Sequence, residues 1–182
     1  MPLRIHLSLL SVLLLNNCSN KKESIPALIN EAIVFETKLP KKIDETSGLE
    51  YFNGDLITHN DSGGDAKLYL FSETGELLEE FAVDDAENND WEDITMDDNY
   101  LYISDSGNNY GNRKNLNIVI TDHLNGFKKV GEINFSYALQ EDFKSRNKHP
   151  NDAEALIVVD DQLVLFSKNR EALTTELFLI PK

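Results

Sequence analysis

Cysteine is nearly absent from this chain: among 182 residues there is only Cys18. No internal disulfide can form, and there is no CxxC pair. Positive charge is also scarce. Seventeen Lys and Arg stand against 32 Asp and Glu, giving a net charge of -15. Such a surface repels nucleic acid, which binds through Lys and Arg, so nucleic acid is not an expected partner. It suits metal cations or cationic partners, and it also keeps a protein soluble. Long hydrophobic runs are missing too. The apolar stretch at residues 7–15 is too short to span a bilayer. The chain has no Walker-type phosphate loop, no dinucleotide fingerprint and no Ser-His-Asp order. What remains is ordinary for one globular domain: 41% hydrophobic and 27% charged residues, enough to build a sizeable core.

The position of the one cysteine is informative. Arg4 and His6 form a weakly basic start, and the apolar run at 7–15 follows. This pattern predicts an export signal. Leu15-Asn16-Asn17-Cys18-Ser19 resembles a bacterial lipobox, whose cysteine is lipidated and becomes the new N-terminus. Leu15 fits that pattern; Asn17 departs from it, because a small residue usually precedes the cysteine. The expected organisation is a signal peptide at 1–17, a lipidated tether at 18–31 and a folded domain at 32–182. The expected location is the bacterial cell envelope, anchored to a membrane by lipid on Cys18.

The folded part reads as one unit written three times, at residues 45–75, 90–123 and 152–182. In register, Ser47-Gly48-Leu49 lies over Glu92-Asp93-Ile94 and over Glu154-Ala155-Leu156. Eight residues after Gly48, Asp93 and Ala155 come Leu56, Leu101 and Leu163, each opening a β-rich run. Each run enters a polar loop: Asn60-Asp61-Ser62-Gly63, Asp105-Ser106-Gly107-Asn108, Ser167-Lys168-Asn169-Arg170. A third apolar run closes each unit. Asn53-Gly54 is a strong hairpin signal. Short strands with polar turns at a period of about forty residues predict propeller blades of four antiparallel strands. The fold class expected is therefore all-β, a propeller-like array of about three blades, with residues 32–35 as a leading strand. The third unit is one strand short. Residues 136–150 form a polar insert, read as a short helix over 138–144 or as a loop. A closed propeller needs roughly four to eight blades. The chain is thus expected to be a partial propeller, to pair with another chain, or to be a shortened frame; an open β-meander or sandwich is the alternative fold. The apolar strand at 177–180, with no blade to cover it, predicts self-association.

Several strings carry a resemblance. They are His59-Asn60-Asp61-Ser62-Gly63, Asp90-Trp91-Glu92-Asp93-Ile94, Asp105-Ser106-Gly107-Asn108-Asn109 with Arg113, Asn151-Asp152-Ala153-Glu154-Ala155-Leu156, and Ser167-Lys168-Asn169. Together they resemble a group of secreted and lipoprotein β-propellers of Bacteroidetes-type bacteria, similar in blade pattern to SdiA-regulated and phytase-like propellers. The resemblance covers residues 40–182. It implies a propeller fold, further blades and an envelope location, and it implies no particular reaction.

Equivalent repeat positions project to equivalent places, so the acids in these units are expected to converge. Glu92 and Glu154 share one position, and Asp90 and Asp152 precede them by two. Residues two apart in a strand face the same side. Asp90, Glu92, Asp152 and Glu154 are therefore candidate metal ligands, an oxygen-rich set suited to Ca2+. The alternative is that these acids cap turns and bond backbone N–H groups. His59, Asp61, Asp105, Arg113 and Lys168 fall in the equivalent loops and are candidate binders of a small ligand or glycan; the alternative is a salt-bridged face with no ligand. Trp91 points opposite to its acidic neighbours and is expected between blades. Two functions follow. One is an envelope binding module presenting an acidic loop face to a metal ion or small ligand. The other is a metal-dependent hydrolase of the lactonase or phosphoesterase kind. A truncated remnant of a longer propeller protein is the third possibility.

Overall fold

A computed structural model describes residues 35–182. The expected signal peptide, Cys18, the tether and residues 32–34 of the leading strand lie outside the described residues. Phe35, the last residue of that expected strand, is not in a strand. The rest is all-β, in three separate antiparallel sheets. The first sheet contains β1 (Thr46–Phe52), β2 (Asp55–Asn60), β3 (Lys67–Phe71) and β4 (Leu77–Ala82). The second contains β5 (Asp93–Met96), β6 (Tyr100–Asp105), β7 (Asn117–Asp122) and β8 (Lys128–Asn134). The third contains β9 (Ala153–Val159), β10 (Gln162–Ser167) and β11 (Leu177–Pro181). Within each sheet the strands follow chain order, which is the meander of a propeller blade.

Local chemistry sets the turns. At the β1–β2 hairpin Asn53 has φ 53° and Gly54 φ 99°. Two consecutive positive-φ residues make the turn whose twist matches paired strands. At the β5–β6 turn the Asp97 carboxylate accepts from Asn99 N and Tyr100 N, both at 3.0 Å. This side chain imitates a backbone turn.

The repeat register survives in the strand pairing. Leu49 faces Thr58, Ile94 faces Ile103, and Leu156 faces Leu165. Two residues on, Tyr51 faces Leu56, Met96 faces Leu101, and Val158 faces Leu163. Across the third strands Ile57 faces Leu70, Tyr102 faces Ile120, and Val164 faces Leu179, through connecting loops of different length. The innermost strands of successive blades also meet in register. Ser47 Oγ donates to Glu92 O at 2.6 Å, and Leu156 N donates to Asp93 Oδ2 at 2.8 Å. The architecture is a propeller-like array of three blades.

Apolar side chains fill the two gaps between blades. Ile57 and Leu68 of the first blade pack with Trp91, Ile94, Leu101, Ile103, Val119 and Phe127. Tyr102 and Ile118, on the other face of the second blade, pack with Leu156, Leu163 and Leu165. Each such side chain removed from water is worth roughly 1.5–3 kcal/mol, so these two layers hold the blades together. Trp91 lies where expected: it is fully buried, with its indole edge-on to His59. The insert at 136–150 contains no helix, only turns and loop. It is tied to the β6–β7 loop instead, by Arg146 N donating to Tyr110 O at 2.9 Å and by the Gln140 side chain, whose Nε2 donates to Gly111 O at 2.8 Å.

Candidate metal centre

The loops that leave β2, β6 and β10 gather at one end of the array with the chain entering β1, β5 and β9. Three backbone bonds fix this. Asp61 N donates to Glu45 O at 2.8 Å, Gly107 N to Asp90 O at 3.1 Å, and Lys168 N to Asp152 O at 2.8 Å. Equivalent positions of three blades are thereby brought to one face. The middle bond is offset by one residue, because Gly107 replaces Ser106 as the donor.

Asp61, Asp90 and Glu92 meet there. Each offers a carboxylate oxygen, and those oxygens lie within 4.8 Å of one another, close enough to hold a metal ion. Asp61 comes from the loop after β2; Asp90 and Glu92 come from the approach to β5. Asn88 fixes the two segments to each other. Its amide donates to Asn60 O and Asp61 O, and its carbonyl oxygen accepts from Trp91 N at 3.2 Å.

The carboxylates are poorly compensated. Oδ1 of Asp61 is buried and accepts no hydrogen bond from any described residue. Asp90 Oδ2 has one long contact, from Asn109 Nδ2 at 3.4 Å. No lysine or arginine among the described residues pairs with any of the three. Their protonation reflects this. Burial, then the negative charge of Asp61, pushes Asp90 up to about 6 despite the favourable field of Arg113. Burial, then the charges of Glu154, Asp90, Asp61 and Asp152, pushes Glu92 up to about 8. Like charges crowd in this way only at a cost, unless a cation joins them. Gly107 makes the crowding sterically possible. A Cβ there would sit 2.3 Å from both Asp90 Cγ and Glu92 Oε1.

The other expected ligands are placed differently. Asp152 is fully buried and saturated: it accepts from Asn108 N at 2.8 Å and Ala153 N at 3.1 Å, and it pairs with Arg170. Glu154 pairs with Lys168 at 2.8 Å and Arg170 at 3.4 Å. In the third blade, then, two cations neutralise the two acids equivalent to Asp90 and Glu92. Arg170 also bonds Asn109 Oδ1, which links the β10–β11 loop to the neighbour of Asp90.

His59, expected on the loop face, turns into the core. Its Nε2 accepts from Gly48 N at 3.0 Å, its Nδ1 lies 2.8 Å from Asn60 O, and burial holds the ring neutral. With both nitrogens committed, it has none to offer a ligand. Asp105 and Arg113 form a structural pair at 2.9 Å, not an open binding surface. Asp105 is fully buried and also accepts from Asp90 N, Asn89 Nδ2 and Asn117 Nδ2. Arg113 donates further to Gly107 O at 2.6 Å, so the pair holds the loop that carries Gly107 against Asp90. Lys168 remains half exposed at the rim.

Sequence reasoning passed over Asn88, and it quoted Arg170, Gly107 and Asn109 only as part of the polar loops after β10 and β6, without a role of their own. For Arg170 a signal existed. A carboxylate at the position of Asp152, just before an apolar inner strand, needs a cation, and Arg170 stands in the polar loop after β10. Gly107 carries no signal in one sequence, because its role depends on which carboxylates come close.

No protein-family model matches the chain, and no curated protein matches it in sequence. Some solved structures are similar in backbone. A glutaminyl cyclase from Myxococcus xanthus matches with a TM-score of 0.49 and 14% identity, over 75% of this chain and 56% of that one. The computationally designed Ika8 protein matches with a TM-score of 0.31 and 14% identity, over 75% of this chain and 46% of that one. The chain thus spans about half the length of each of these structures.

Proposed function

We propose that this protein is a cell-envelope binding module, carried on a propeller-like array and held to the membrane by lipid on Cys18, whose loop end binds one calcium ion. The observation that carries the reading is the triad Asp61, Asp90 and Glu92, three carboxylates whose oxygens lie within 4.8 Å of one another and none of which forms an ion pair among the described residues. An all-oxygen donor set favours a hard cation, and Ca2+ takes six to eight oxygens with tolerant geometry. Three carboxylates supply part of that shell. Water and a small oxygen-bearing ligand, such as a glycan hydroxyl or a carboxylate, complete it.

Thermal unfolding with calcium and with chelator tests the metal. A ligand at a hundred times its dissociation constant stabilises the folded state by about 2.7 kcal/mol. In a domain of this size that raises Tm by roughly 5–11 °C. Asp90→Asn combined with Glu92→Gln should abolish the rise. An unchanged Tm at millimolar calcium counts against the module. The anchor is tested separately. Cys18→Ala should move the protein from the detergent phase to the soluble fraction, and equal partitioning of both forms rejects lipidation.

A further inference from the structure

Three consecutive carbonyls of the β6–β7 loop are taken up by the insert at 136–150. Asn109 O lies 3.2 Å from His149 Nε2, Tyr110 O accepts from Arg146 N at 2.9 Å, and Gly111 O accepts from Gln140 Nε2 at 2.8 Å. Lys114 Nζ adds a fourth contact, 4.9 Å from the centre of the Phe143 ring. The insert thus runs as a strap along this loop. The loop bears on the candidate site because the Asn109 side chain sits between Asp90 and Arg170.

Of the residues that fasten the strap, only His149 is buried, at 2% exposure. Gly111 makes room for it: a Cβ there would stand 2.8 Å from His149 Cγ. The bonds of the ring define its protonation. A backbone N–H can only donate, so the 3.1 Å bond from Asn151 N requires a bare Nδ1. A backbone carbonyl can only accept, so Nε2 carries the one ring proton towards Asn109 O. The closed strap therefore holds a neutral ring. A second proton, on Nδ1, would meet the Asn151 N–H donor to donor, and burial keeps water from accepting it. The backbone on either side of the ring is pinned. His149 O accepts from Arg170 N at 3.0 Å, and Asn151 O accepts from Asn108 Nδ2 at 2.7 Å.

The charged groups around the ring are committed elsewhere or open to water. On the insert Arg146 pairs with Asp142. From the approach to β9, Asp152 pairs with Arg170 of the β10–β11 loop, and Lys168 of that loop pairs with Glu154. On the β6–β7 loop Arg113 pairs with Asp105. Glu141, Lys148 and Glu171 line a cavity of about 230 Å³ beside His149 and, like Lys144, are exposed, so solvent and salt screen their fields.

We infer that His149 is a proton-operated latch: a neutral ring fastens the strap to the β6–β7 loop, and a second proton on the imidazole releases it in mildly acidic surroundings. Imidazole is the side chain that ordinarily changes charge between about pH 5 and 8. Opening frees the carbonyls of residues 109–111 and the backbone of the insert. The latch does not rest on the calcium reading, since none of the bonds that fasten the strap involves Asp61, Asp90 or Glu92.

Hydrogen exchange of the full chain tests the latch. It is read by mass spectrometry at about pH 8 and about pH 5 and corrected for the intrinsic pH dependence of amide exchange. Protection in peptides spanning 107–112 and 136–151 should fall by about tenfold or more at the acidic pH, while the strands of the first blade keep theirs. His149→Gln supplies an acceptor and a donor that do not titrate, so its protection should be the same at both pH values. A pH response that persists in His149→Gln belongs to the acids of the loop end and overturns the inference. Unchanged protection in the parent overturns it too. Ring nitrogen signals of the parent, read by NMR, give a check that needs no variant. At about pH 8 the neutral ring with its proton on Nε2 is expected, and a proton on Nδ1 overturns the inference.

Discussion

Replacing Glu92 by glutamine keeps the shape of the side chain and removes one of the crowded negative charges. The folded protein holds the Glu92 carboxyl at about 8, against an ordinary value of 4.5, first through burial and then through Glu154, Asp90, Asp61 and Asp152. A raised carboxyl pKa means that ionised Glu92 opposes folding. Above pH 8 the group is ionised in both states and the whole penalty is present. As pH falls from 8 towards 4.5 the folded protein takes up the proton first, and the penalty disappears. An interval from 4.5 to about 8 corresponds to about 5 kcal/mol at roughly 1.4 kcal/mol per pH unit. Glu92 is only partly buried and water screens much of this field, so about 2 kcal/mol is the figure to expect. In chelator at pH 9, Glu92→Gln should therefore raise Tm by roughly 4–8 °C. At pH 4.5 the two proteins should melt together. Differential scanning calorimetry across this range reads the effect directly. A variant that melts lower than the parent at pH 9, or a gap that stays constant with pH, refutes the account of the triad as an uncompensated cluster.

Calcium must displace the proton that Glu92 holds, so calcium affinity should rise up to about tenfold per pH unit between pH 6 and 8; titration calorimetry at three pH values checks the slope. Gly107→Ala places a methyl 2.3 Å from Asp90 Cγ and Glu92 Oε1, and it should abolish the calcium-dependent Tm rise while the protein remains folded by circular dichroism. Arg113→Ala leaves the fully buried Asp105 without its cation. Breaking such a pair costs about 3–5 kcal/mol, seen as a fall in the urea midpoint with the slope unchanged. Gly48→Ala forces a Cβ to 2.4 Å from Ile94 N and 2.7 Å from His59 Nε2. Backbone has to move, and a loss of about 3 kcal/mol should appear in the same assay.

The blades were legible because they rest on local signals that repeat. The eight-residue spacing from Gly48, Asp93 and Ala155 to Leu56, Leu101 and Leu163 is set by a hairpin of fixed length, and the pairing of Leu49, Ile94 and Leu156 has the same register in all three. The turn at Asn53-Gly54 could be read for the same reason. Half of the site was legible. Asp90, Glu92 and Asp61 were singled out from repeat positions and do meet. Repeat position alone could not tell which acids lack a partner. Asp152 and Glu154 occupy the same positions as Asp90 and Glu92, yet Arg170 and Lys168 take them up, a difference made by one loop. His59 sits at a loop edge in sequence, but its ring fills the space against Trp91 that Gly48 leaves open. The helix weighed for residues 138–144 did not form; the segment spends its polar groups on the β6–β7 loop.

The most direct test is equilibrium dialysis of the purified chain against labelled calcium at pH 8, beside the variant Asp61→Asn. The Asp61 carboxylate accepts no hydrogen bond from any described residue, and its Oδ1 is buried without a partner, so this substitution leaves the blades intact. The account predicts one ion bound per chain and at least a tenfold weaker affinity in the variant. No bound calcium, or equal binding by the parent and Asp61→Asn, would contradict it.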